Sequence, residues 1–158
     1  MFKQLLKQKF NQQHLIRMVV DWLGSISFYL ISLALVLTDI KHYRIPNILV
    51  LFLLVSVLFF RFIDGDLSFF DFFPSIFLIF IFWIFDKFRF GLVGGGDIKY
   101  MMVASLYLGY LVFPYFLIVF GILATLFILF WQKSKPNKDV PMMPTLALGV
   151  LVCELFVK

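Results

Sequence analysis

Ile98 to Trp131, IKYMMVASLYLGYLVFPYFLIVFGILATLFILFW, is apolar for 34 residues, Lys99 aside. A hydrocarbon core takes roughly 20 helical residues to cross, so this stretch is too long for one ordinary span and short for two. Gly109 and Pro114 near its centre supply turn chemistry, which predicts two short helices in a tight hairpin. Charge agrees with the hairpin. It puts Lys133, Lys135 and Lys138 on the same side as Lys87, Arg89 and Lys99, whereas one long helix would separate them.

Working outward, Met18 to Leu37, Ile48 to Phe62 and about Phe72 to Phe85 read as three earlier spans, the third with Pro74 tolerated in its first turn. Asp21 and Trp22 fit the outer interface of the first. Pro141-Met142-Met143-Pro144 opens a sixth span that ends near Val157. The expected fold is an all-α integral membrane protein of about six transmembrane helices. Composition requires a bilayer as solvent: 63% of the 158 residues are hydrophobic, 23 are Phe, and only 15% are charged. Residues 18–158 read as a single membrane-embedded domain. Ahead of it, residues 1–17 are basic, with Phe2, Leu5, Leu6 and Phe10 about one turn apart, which suggests an amphipathic helix on the membrane surface or a charged tail. They lack the marks of a cleavable signal.

The connections at 38–47, 86–99 and 132–142 share one face of a six-span bundle and carry Lys41, Arg44, Lys87, Arg89, Lys99, Lys133, Lys135 and Lys138. The opposite loops hold Arg61 beside three aspartates, Asp64, Asp66 and Asp71. The positive-inside rule makes the basic face cytoplasmic, in a multi-pass protein of the cytoplasmic membrane. Lys3, Lys7, Lys9 and Arg17 fall on the other side and go against that bias. The net charge of +5 is therefore a topology signal, and no nucleic-acid partner is expected. Cys153 stands alone, which excludes an internal disulfide or a cysteine metal cluster. His14 and His42 are too few and too far apart for a metal site, so no metal or cofactor is expected.

Two acids stand out at the cytoplasmic ends of spans one and four. Asp39 lies in Thr38-Asp39-Ile40-Lys41-His42-Tyr43-Arg44-Ile45-Pro46-Asn47, and Asp97 in Gly94-Gly95-Gly96-Asp97-Ile98-Lys99. They are 58 residues apart in sequence yet share one membrane depth. Charges at the edge of an apolar span mark functional sites by default. Two close carboxylates can share a proton, one accepting from water and the other donating, which is aspartic-protease chemistry. Each also has a plainer reading: Asp97 as a helix N-cap, Asp39 as a loop residue paired with Lys41 or Arg44. The three glycines can take positive φ and lie close to another chain. They lack the Gly-Lys-Ser/Thr ending of a phosphate loop. Lys99 reads as a snorkelling lysine or a holder of a carboxylate. Ile45-Pro46-Asn47 reads as a loop-to-helix entry, with Pro46 ending one helix and Asn47 capping the next.

At these residues the chain resembles the type IV prepilin and preflagellin peptidases, membrane aspartic proteases of the Gly-x-Gly-Asp kind. Asp39 through Asn47 matches the family's first aspartate with its basic loop ending in Ile-Pro-Asn. Gly94, Gly96, Asp97 and Lys99 match its second motif, and Pro141, Pro144, Leu146, Ala147 and Gly149 match a late Pro-x-x-Pro-x-Leu-Ala-x-Gly stretch. The resemblance implies that Asp39 and Asp97 are catalytic. It implies that Gly94, Gly95, Gly96, Lys99, Lys41, Ile45, Pro46, Asn47, Pro144 and Gly149 shape the site or position substrate. It also implies a prepilin-like substrate, cut on the cytoplasmic side between a short basic leader and an apolar stem. The first inner loop is only about ten residues and holds no cysteine, unlike larger relatives with paired Cys-x-x-Cys motifs, so peptidase without N-methyltransferase activity is expected. Presenilin-like proteases share Gly-x-Gly-Asp, but the Ile-Pro-Asn loop and the small size argue against that branch. The rival readings are a small proton- or cation-coupled transporter subunit and a non-catalytic subunit of a pilus or secretion assembly.

Overall fold

The apolar stretch from Ile98 to Trp131 forms two helices. In the computed structural model, which describes residues 2–65, 67–87, 94–134 and 140–157, one helix ends at Leu108 and the next starts at Phe113. Gly109 makes the turn: it has φ of 81°, its N–H reaches the Ser105 carbonyl at 3.0 Å, and its own carbonyl accepts from Phe113 N–H at 3.1 Å. Pro114 follows as a second helical residue, where its missing N–H costs nothing.

The described elements are α1 (Phe2–His42), α2 (Asn47–Asp64), a single 3-10 turn (Phe69–Asp71), α3 (Phe72–Lys87), α4 (Gly95–Leu108), α5 (Phe113–Ser134) and α6 (Met143–Phe156). No strand occurs among the described residues. This is an all-α membrane protein, with six α-helices at the six expected places. Leu15–His42, Asn47–Asp64 and Phe113–Ser134 are long and apolar enough to cross a bilayer, while Phe69–Ile81 and Met143–Phe156 are shorter apolar stretches. Large side chains such as Leu30, Phe52, Phe59, Phe73, Ile118 and Phe130 stay exposed on the outer surface, as they can where lipid is the solvent.

α4 is the axis of the bundle. It packs against α2, α3 and α6, α1 runs along α2 and α6, and α5 lies on α6. Tyr100, Ala104 and Ser105 are fully buried on it, and Phe28, Leu35, Leu53, Phe116, Leu146 and Val150 close around them. A helix apolar on every side belongs at such a centre. Close approach depends on small residues: a Cβ on Gly24 would meet Phe60 at 3.2 Å, and one on Gly149 would meet Phe116 at 3.2 Å.

The end with the 109–112 turn is tied by charge. Arg61 of α2 pairs with Asp71 at 3.0 Å and also donates to the Leu106 carbonyl of α4. Asp71, only 3% exposed, accepts from the N–H groups of Ser68 (3.0 Å) and Tyr110 (3.1 Å), and with Ser68 completes a capping box. One carboxylate thus joins α2, the start of α3 and the α4–α5 turn.

α1 continues without interruption through residue 17, because nothing between Arg17 and Gly24 breaks a helix. Asp66, Arg89, Lys135 and Lys138 lie outside the described residues, as do the side chains of residues 2–14 and 85–87, so the charge balance between the two ends remains a reading of the sequence.

Candidate active site

At the other end of the bundle, α1 stops in its last turn just beyond Asp39. Tyr43 takes a left-handed conformation (φ 51°) and its N–H closes on the Asp39 carbonyl at 2.8 Å, which turns the chain sharply. Arg44, Ile45 and Pro46 then lead directly into α2, whose N-cap is Pro46. The Asp39 side chain points inward and is 6% exposed. A buried carboxylate needs donors. Its Oδ2 accepts from the backbone N–H of Met143 at 3.1 Å. Met143 is the first residue of α6, so this N–H is one the helix itself cannot satisfy, at its positive dipole end.

Asp97 enters from α4. Gly94 is the N-cap and Asp97 the third helical residue, so Asp97 is not the cap itself. Its half-buried carboxylate reaches back to accept from the Gly94 backbone, one half of a capping box. The charge of Asp39 acts on Asp97, so the two carboxylates belong to one electrostatic site. Three helices meet there: α1 and α4 bring a carboxylate each, and α6 brings an N–H.

The glycine run works by closeness, not by unusual φ. Gly94 has φ of −65°, and Gly95 and Gly96 form the first helical turn. At Gly96 an added Cβ would stand 2.7 Å from Ile45 Cβ, a separation that real Cβ atoms essentially never show. The second glycine of the motif therefore lets α4 press on the loop that follows Asp39. At Gly94 a Cβ would crowd Asp97 Oδ2 at 3.0 Å, and at Gly95 it would meet nothing within 4 Å. Asn47 does not cap α2; its Oδ1 accepts from Lys99 Nζ at 2.9 Å, bridging α2 to α4 beside the acids.

The remaining expected residues divide. Lys41 is exposed in the last turn of α1, and Pro144 sits half-buried in the first turn of α6, one residue past the Met143 N–H. Gly149 is farther along α6 against Phe116 and Phe120, a helix-packing position away from the carboxylates.

With that geometry in view, the type IV leader peptidase family model matches residues 26–130. The chain belongs to that family. The match takes in Asp39, the Tyr43–Asn47 loop and Gly94–Lys99, and stops short of Met143. Comparison with curated proteins and with solved structures finds no match.

For this leader peptidase, two groups were missed in the sequence. The Met143 N–H carries no side-chain signal and could be found only by the fold. Glu154, an acid in the apolar run Leu148-Gly149-Val150-Leu151-Val152-Cys153-Glu154-Leu155, did carry one, because an ionisable residue inside a span calls for a partner.

Proposed function

We propose that this leader peptidase is an aspartic endopeptidase in which Asp39 and Asp97 together cut a prepilin-like precursor at the cytoplasmic face of the inner membrane. The observation that carries the reading is the convergence of a buried Asp39 and Asp97 at one end of the bundle, with the charge of one felt by the other. Two such carboxylates do not both ionise at low cost, so the pair holds one proton between them. The ionised member takes a proton from water as its oxygen bonds to the scissile carbonyl carbon, and the protonated member donates to the carbonyl oxygen. The tetrahedral diol then collapses: the C–N bond breaks as the pair's proton passes to the leaving amine, one diol hydroxyl returns its proton to the pair as the C=O bond re-forms, and the new carboxyl group departs.

The Met143 N–H supports the reading, since it holds Asp39 in one orientation without neutralising it. Lys99 and Asn47 fix α4 against α2 and so set where Asp97 enters. The α1–α2 connection spans four residues, 43–46, and its shortness supports a peptidase without a methyltransferase insertion at that point.

The test is co-expression in membranes of a prepilin with the wild-type chain and with Asp39→Asn and Asp97→Asn. Wild type is expected to remove the leader, and the mature product should carry no methyl group on its N-terminal amine by mass spectrometry. Both variants should insert normally and leave the precursor intact. Cleavage by either variant would refute the paired-aspartate chemistry. Uncut precursors with a well-folded wild type would favour a non-catalytic assembly role.

A further inference from the structure

We propose that Glu154 is a positioning residue that sets the height of Asp39 against Asp97 by clamping the outer halves of their helices. This rests on the peptidase reading above and concerns a carboxylate that the proposed chemistry does not use. Both oxygens of Glu154 are occupied by hydroxyls from two other helices. Oε1 accepts from Tyr107 OH of α4 at 2.7 Å and from Ser25 Oγ of α1 at 3.1 Å, and Oε2 accepts from Tyr29 OH of α1. The Ser25 and Tyr107 hydroxyl oxygens also lie 2.9 Å apart. Phe28 stacks on the Tyr107 ring at a centroid distance of 4.0 Å and meets Tyr29 edge-on, so the donors are held by packing as well.

The placement along the chain gives the clamp its consequence. Tyr29 precedes Asp39 by ten residues on α1, and Tyr107 follows Asp97 by ten on α4. Both donors therefore stand about 15 Å of helix from their aspartates at a rise of 1.5 Å per residue. Glu154 lies eleven residues beyond Met143, whose N–H holds Asp39. One carboxylate thus fixes the helix bearing each aspartate and the helix whose first N–H orients one of them. A slip of α4 or α6 along α1 would break charge-assisted hydrogen bonds in an environment where water is scarce to replace them. α6 is held at both ends, by backbone at the site and by side chain at the clamp.

The experiment uses the full chain in lipid nanodiscs and compares wild type with Glu154→Gln, Glu154→Leu, Tyr29→Phe and Tyr107→Phe. One readout is cleavage of a prepilin over a range of pH. The other is the distance between nitroxides on His42→Cys and Gly95→Cys by pulsed EPR, which needs no substrate. Glu154→Leu is expected to lower kcat about tenfold to a hundredfold with KM unchanged, as misplaced catalytic groups do. The two limbs of its pH profile should draw together, because looser carboxylates couple less, and the distance distribution should broaden. Glu154→Gln, which keeps one acceptor, should recover part of each effect. If Glu154→Leu fails to fold, the two Tyr→Phe variants carry the same expectation with smaller changes. A pH profile of unchanged width together with an unbroadened distance would overturn the clamp, however far activity fell. If wild type cut no precursor, the peptidase reading would fail alone, and the spin-label distances would still decide whether Glu154 sets the spacing.

Discussion

Asp97 and its three preceding glycines separate two jobs that look alike in sequence. Gly96 has no room for a side chain because Ile45 fills the space, whereas Gly95 opens on nothing from its own chain. Gly96→Ala should therefore push α4 off the Tyr43–Pro46 loop, lowering both thermal stability and kcat, and the added change Ile45→Gly should restore part of each. Gly95→Ala should leave the melting transition within about 0.5 kcal/mol of wild type, as surface changes do; any rise in its KM would then report the substrate's backbone lying there. Both measurements need only purified protein and one precursor. The acids themselves were legible, because a charge beside a hydrocarbon span demands an explanation. The way they are held was not: a backbone N–H 104 residues away from Asp39 leaves no trace in residue type. Asn47 misled for a related reason, since its side chain serves equally as a cap and as an acceptor, and only the neighbouring Lys99 decides.

Among the elements, the α4–α5 hairpin was readable because glycine and proline act locally, and Gly109 takes the positive φ that a turn there needs. The length of α1 was not legible, because a change from polar to apolar composition at residue 17 is not a change in helix propensity. Asp71 was hidden among the acids of a short loop, although Ser68-Phe69-Phe70-Asp71 spells a capping box. Its pairing with Arg61 ties α2, α3 and the α4–α5 turn at the end opposite Asp39 and Asp97. Asp71→Ala removes the carboxylate partner of a partly buried guanidinium and leaves two backbone donors unmet, and should lower unfolding stability by about 3 kcal/mol. Denaturation in detergent would show the loss, while cleavage per folded molecule at low temperature stays near wild type. A drop in kcat without a drop in stability would mean that this lock reaches the site.

For the molecule as a whole, six helices were countable from apolar runs and the site from two charges, but helix length had to come from packing. α4 and α6 have 14 residues each, so they are roughly 21 Å long by the helical rise, against a hydrocarbon layer of about 30 Å. The exposed face of α6 presents that short dimension directly to lipid. Bilayer thickness then becomes a control on the enzyme. Acyl chains that thin to meet α6 do so at a cost that grows with each ångström of mismatch. Reconstituted into phosphatidylcholines of increasing chain length, the enzyme should cleave fastest in the shorter-chain bilayers and slow as the membrane thickens. Rates that do not vary with chain length would mean that the lipid does not feel the short helices. The same thinning would bring the membrane surface down to the Asp39–Asp97 end, so a peptide bond at the edge of an apolar stem could be hydrolysed without first being drawn out of the bilayer.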